Sequence, residues 1–211
     1  MLYHKGTEPT DLYHPDFDAG NRAIHSAFEP QHKVVVLTVC SWAKPYSQSW
    51  IHTNIRSALG ASLEQIDYVH VSSAGIIPHQ FETLYPFTAY DWNNVNMAPA
   101  MAKALQREID ERFSSFWLIF GTQWDHVVPF FRENSNTWKV LSKWAEDRRD
   151  PWPEWHPVLE EGVTEFDHRL WGEQRMHGYE DPNAVLAHWQ ATKRLEEKVA
   201  TLLKGAEGEE E

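Results

Sequence analysis

One stretch of the chain, CSWAKPYSQSWIH at residues 40–52, gathers the sole cysteine, a lysine, a tyrosine behind a proline, several serines and a histidine. A thiol attacks as its thiolate, which positive potential favours. Cys40 follows an aliphatic run, precedes a helix start and has Lys44 four residues on, so attack by sulfur on an electrophilic carbon is the sharpest chemistry available. Lys44 has two further uses, pairing with a carboxylate or phosphate of a ligand and donating a proton. Pro45 restricts its own backbone and that of Lys44, which gives Lys44 and Tyr46 defined directions. Ser49 and His52, three residues apart at a helix start, share one face. The plainer reading makes Cys40 a small buried hydrophobe and His52 a capping or half-buried histidine. The joint pattern C-x3-K-P-Y-x2-S-x2-H favours chemistry, because a structural loop does not require so many polar groups within thirteen residues.

Elements around this stretch must position it. KVVVLTV, Lys33 to Val39, is a β-branched run of strand length that is apolar on both faces, as expected of a central strand covered by helices. Ser49 caps a helix running to Ala58, with Ile51, Ile55 and Leu59 at four-residue spacing and Gly60 as the stop. A second strand is expected at Ile66 to Ser72. The long segment after it, rich in Gly, Pro, Tyr and His, reads as the wall of a site. An amphipathic helix is expected over Met97 to Phe113, a third buried strand at FWLIFG (Phe116 to Gly121), and helices over 135–148 and 182–203.

This alternation predicts an α/β fold, a mainly parallel sheet with helices on both faces and ligands at the carboxyl ends of the strands. Cys40, Ser73 and Gly121 then open on one rim, which Asp125 and His126 could complete. Domain organisation follows as an irregular arm over 1–32, an α/β core over 33–150, a Trp/His/Pro-rich segment with a C-terminal helix over 151–204, and an acidic tail over 205–211. Packing on the core is the expected role of the tryptophans, and a binding platform is the alternative.

A chain of 211 residues suits one main core. With 42% hydrophobic and 24% charged residues and no apolar run near the roughly 20 residues of a span, no membrane contact is expected. A polar start and a single cysteine make the cytoplasm the expected compartment. The net charge of −12 opposes unaided binding to a phosphate backbone. No H-x3-H, HExxH, CxxC, Walker or GxGxxG motif is present, so neither metal nor dinucleotide is expected and no cofactor is assigned.

The motif from Cys40 through Lys44, Pro45, Tyr46 and Ser49 to His52 resembles the signature of the core domain of archaeosine synthase, an archaeal tRNA-modifying family related to tRNA-guanine transglycosylases. Val39 stands where that family has a proline. A second block, SSAGIIPHQFETLYPFTAYDWN at residues 72–93, resembles the family's segment in which a small-residue turn leads into Pro, Glu, Tyr-Pro and Tyr-Asp. Together the resemblance covers about residues 33–132.

The resemblance implies a uracil-DNA-glycosylase-like core and an enzyme of 7-deazaguanine chemistry. Its reaction adds an amine, lysine in the well-known case, to the nitrile of 7-cyano-7-deazaguanine. Cys40, Lys44 and His52 are then the expected catalytic residues, with Cys40 adding first as a thioimide or, alternatively, the amine attacking directly. A guanine-like base offers adjacent N–H donors to a carboxylate and a flat ring to aromatic side chains. Glu82, Asp91, Tyr85 and Tyr90 supply those types, and Tyr46, Ser49 and Ser73 complete the expected substrate contacts. The chain has no room for the transglycosylase-like domain and no recognisable PUA domain, so a free-standing core is expected. Its substrate would be a base in tRNA or DNA reached through a partner subunit, or a free base or nucleoside. The alternative is a non-catalytic relative that binds a modified base, a nucleotide or a partner.

Overall fold

The computed structural model describes residues 9–41, 43–84, 90, 98–132, 135–147, 153–159 and 182–207. Their five-stranded sheet has the order β3-β2-β1-β4-β5, with β1 Val34–Val39, β2 Asp67–Ser72, β3 Gly75–Pro78, β4 His126–Phe130 and β5 Glu154–Trp155. β1 pairs parallel with both β2 and β4, and β5 is parallel to β4. Only β3 runs antiparallel, returning along β2 through a tight turn. Gly75 has φ 136° at this return, a conformation closed to side chains with a Cβ.

Every residue of β1 is buried, which explains its nearly continuous aliphatic run, and every residue of β2 is buried too, including the polar Asp67, His70 and Ser72. One face carries α1 Pro15–Ala27, α3 Pro99–Phe120 and, packed on α3 through Trp144 against Phe113, α4 Asn136–Asp147. Against the other face lie α2 Trp50–Leu59 and α5 Trp189–Glu207, the latter touching β1 and β4. Ser49 caps α2 by accepting from the His52 N–H, and Gly60 ends it at φ 51°. The C-terminal helix begins with a tight helical turn, Pro182–Ala187, before α5.

Two parts differ from expectation. The N-terminal region holds a full helix, α1, whose Phe17, Gly20 and Ile24 are buried at spacings of three and four. FWLIFG is not a strand but the last turns of α3: Phe113, Phe116, Trp117 and Phe120 face the core while Leu118 and Ile119 are exposed. A short apolar run does not distinguish a buried strand from a helix end, and here three- and four-residue spacing prevails. The third parallel strand lies further on, at His126–Phe130.

That shift moves part of the expected rim. β4 begins at His126, opposite Val34, so Gly121, Asp125 and His126 lie at the amino end of the parallel strands and Cys40 at the carboxyl end. Asp125 there pairs with Lys33 at 3.4 Å.

Candidate active site

The chain leaves β1 toward β2 on one side and later returns to β4 on the other, so the carboxyl end of β1 is the point at which the strand order reverses. Crevices form at such points because the crossovers on either side diverge. Cys40 is the first residue past β1, half-buried, and it lines a pocket of about 120 Å³. Val71, Ser72 and Ser73 from the end of β2 line the same pocket, with Leu105, Gln106 and Ile109 of α3 and Leu141 of α4 opposite. Cys40 and Ser73 are thus brought to one cavity, as the parallel strand order implies.

The two loops meet beside the sulfur. Tyr46 is fully buried, and its Oη lies 3.3 Å from that of Tyr90. The Lys44 ammonium sits 4.1 Å above the Tyr90 ring and donates to the Ser41 carbonyl at 3.3 Å. The Lys44–Pro45 peptide is cis. Burial foremost, then the neighbouring Cys40 sulfur, holds both the Tyr46 and the Tyr90 phenol above the usual tyrosine range. Both therefore remain protonated donors at neutral pH.

His52 is placed elsewhere. It is fully buried under the sheet; its Nε2 donates to the Val39 carbonyl at 3.0 Å and its Nδ1 accepts from Tyr68 Oη at 2.9 Å. The carbonyl can only accept, so the Nε2–H tautomer is the one that satisfies both contacts. Burial pushes the His52 pKa down to about 4. Both His52 nitrogens are engaged, which ties α2 to the end of β1, and the residue does not line the Cys40 pocket. Ser49 is likewise buried and spent on the α2 cap.

Glu82 is nearly buried, and its Oε2 accepts the Ser47 N–H at 2.9 Å while lying 3.5 Å from His79 Nδ1. A bidentate grip on a base edge would have to compete with that bond. Tyr85 and Asp91, the remaining expected base contacts, lie outside the described residues. Sequence reasoning missed Ser72, whose Oγ donates to the Gly75 carbonyl and accepts from the Ala74 N–H, shaping the turn that presents Ser73. The helices expected over Met97 to Phe113 and 135–148 supply the opposite wall through Leu105, Gln106, Ile109 and Leu141, a packing that sequence reasoning did not assign to the site.

A family described as "Domain of unknown function (DUF5591)" matches residues 20–106, a span that includes both loops. Archaeosine synthase subunit alpha of Thermoplasma acidophilum is 35% identical over 91 residues, which are 42% of this chain and 18% of that protein. A solved structure titled "Crystal structure of AF0587, a protein of unknown function" aligns with 79% of this chain and 52% of its own at 18% identity, with a TM-score of 0.43, too distant a likeness to bear on function. The chain is thus similar, over less than half its length, to a segment amounting to under a fifth of archaeosine synthase subunit alpha.

Proposed function

We propose that the protein is an archaeosine-synthase-like transferase that joins an amine to the nitrile of 7-cyano-7-deazaguanine. The observation that carries this reading is the convergence at the end of β1: Cys40 and Ser73 line one pocket, and behind its lining the buried Tyr46 and Tyr90 phenols lie near the Cys40 sulfur, with Lys44 over the Tyr90 ring. The partial similarity to archaeosine synthase subunit alpha supports a setting in tRNA modification. In this reading residues 33–150 form a uracil-DNA-glycosylase-like core with the C-terminal segment packed on it, and the compartment is the cytoplasm. A partner subunit supplies the basic surface for nucleic acid that a chain of charge −12 lacks.

The chemistry balances without an oxidant, reductant or further co-reactant. Cys40 Sγ adds to the sp carbon, a new S–C bond replaces one carbon–nitrogen π bond, and the nitrogen takes a proton to give a thioimide. An amine then attacks the same carbon, the S–C bond breaks, and the thiol regains a proton as the amidine leaves. Lys44 is the acid of the first step, and the protonated phenols of Tyr46 and Tyr90 stabilise the developing charge on nitrogen. His52 is a positioning residue. Tyr85 and Asp91 contribute a ring and a carboxylate to the base.

The apolar wall of Val71, Leu105, Ile109, Phe113 and Leu141 favours a second reading, a module that binds a modified base without reacting with it. Incubation of the protein with 7-cyano-7-deazaguanine as base, nucleoside or tRNA residue, with lysine, glycine or ammonia, separates the two by mass spectrometry. An amidine product, with an adduct on the Cys40 peptide that Cys40→Ser removes along with turnover, is the expected result. Full turnover by Cys40→Ser would eliminate the covalent step, and binding without product for every carrier would leave the second reading.

A further inference from the structure

We propose that His126, Glu154 and His156 form a site for a divalent transition metal at the edge of the sheet, with zinc the ion its donors suit best. His126 opens β4 and pairs with Glu154 across the ladder, while His156 follows β5 directly. Residues two apart on an extended chain project to one side, so Glu154 and His156 are presented together. Backbone bonds fix the segment on both sides of the trio: the Glu154 N–H donates to the Asp125 carbonyl and the His156 N–H to the Val127 carbonyl, each at 2.8 Å.

Distances among the donors decide the case. His126 Nδ1 is 3.1 Å from His156 Nε2, and Glu154 Oε2 is 3.7 Å from the first and 3.5 Å from the second. The point equidistant from the corners of that triangle lies about 2.0 Å from each, within the range of zinc–imidazole and zinc–carboxylate bonds. Two imidazoles and one carboxylate are borderline donors that suit zinc or its transition-metal neighbours better than calcium or magnesium. The imidazoles are mostly buried, at 23% and 20% side-chain exposure, whereas Glu154 is 74% exposed. An ion therefore has a route from solvent and a fourth position left to water.

Local spacing gave no hint of the site because its ligands come from two distant segments. A second trio, His70, His79 and Glu82, also lies close together, but the Arg56 guanidinium is 2.6 Å from His79 Nε2 and repels a cation there. Since the edge trio lies at the amino end of the parallel strands, its occupancy is independent of the chemistry at Cys40. β5 is only two residues long, so an ion bridging β4 and β5 would fasten a short edge strand to the sheet.

The test is titration of the metal-free full chain with zinc by calorimetry, and with cobalt by visible absorption, beside a His126→Ala/His156→Ala double variant. One zinc per chain, an affinity at least tenfold weaker in the double variant, and a cobalt band that the variant loses are the expected results. A hundredfold excess of zinc over its Kd should raise the Tm of the parent protein by roughly 5–10 °C. Equal affinity in parent and double variant, or no binding by the parent at micromolar zinc, overturns the site and leaves a plain histidine–histidine hydrogen bond. Should the double variant not fold, Glu154→Gln at a largely solvated side chain reads the same way: weaker binding supports the site, and unchanged binding overturns it.

Discussion

The Ser47 N–H donates to Glu82 Oε2 at 2.9 Å, joining two loops that are 35 residues apart in sequence. Glu82 is nearly buried, so the bond forms where water competes poorly. It also holds the motif loop against the segment leading to Tyr90. Glu82→Ala strands the Ser47 donor and should cost about 1–3 kcal/mol in urea unfolding. Glu82→Gln keeps an acceptor and should cost less. If Glu82 instead serves only a ligand, both variants will unfold at the parent's midpoint and differ from it in binding alone.

Acid should weaken the fold through His52. Burial lowers its pKa from 6.5 to about 4. Between those values the unfolded chain binds a proton that the native chain refuses, so stability is fully present above pH 6.5 and drains away as the pH falls toward 4. The loss from this group is about 3 kcal/mol at most. His70, packed 4.7 Å from His52 and also shifted down by burial, acts in the same direction. Urea midpoints at pH 7, 5.5 and 4.5 should fall steeply in the parent and less steeply in His52→Asn, whose ordinary stability at pH 7 will be lower. Parallel slopes would remove His52 as the source.

The first βα unit was readable because its signals agree: a β-branched run, a Ser cap, apolar residues every four positions and a Gly stop all describe β1 and α2. Cys40 and Ser73 on one rim followed from parallel topology alone. FWLIFG misled because six apolar residues in a row carry no period until Leu118 and Ile119 are known to face solvent. β4 was hidden by Pro129, which argues against a central strand; it is tolerated because β5 pairs only with His126 and Val127. His52 is an expected catalytic residue on the motif, whereas its engagement with Val39 and Tyr68 depends on how α2 lies on the sheet. Such tertiary contacts have no local signature.

Gly121 is required by the indole beside it. A Cβ at this position would lie 2.7–2.9 Å from atoms of the Trp117 ring. Trp117 is buried and itself packed against Phe113, Trp124 and Trp155, so it has nowhere to retreat. Gly121→Ala should therefore lower stability by about 1–3 kcal/mol, with the loss partly relieved when Trp117→Phe is added. Simple additivity of the two changes would show that the contact is not the cause.

Arg112 connects three parts of the fold: α3, the turn between β2 and β3, and the N-terminal region. Nearly buried on α3, it donates to the Ala74 carbonyl at 2.7 Å, the Leu12 carbonyl at 3.1 Å, Asp18 at 2.9 Å and Glu108 at 3.0 Å. The planar fork of a guanidinium can serve all four, and the single ammonium of a lysine cannot. Arg112→Met fills a similar volume but leaves two buried carbonyls and two carboxylates without their donor, at a cost of about 3–5 kcal/mol. Arg112→Lys should recover only a part. Because Ala74 lies in the turn beside Ser73, the damage should spread to the pocket, while loss of the Leu12 and Asp18 bonds frees the start of the chain. Limited proteolysis should then cut the Arg112→Met protein within α1 at a rate well above the parent's, and amide exchange should quicken at Ala74. A variant that loses global stability yet shows unchanged relative protection at both places would confine Arg112 to a general packing role.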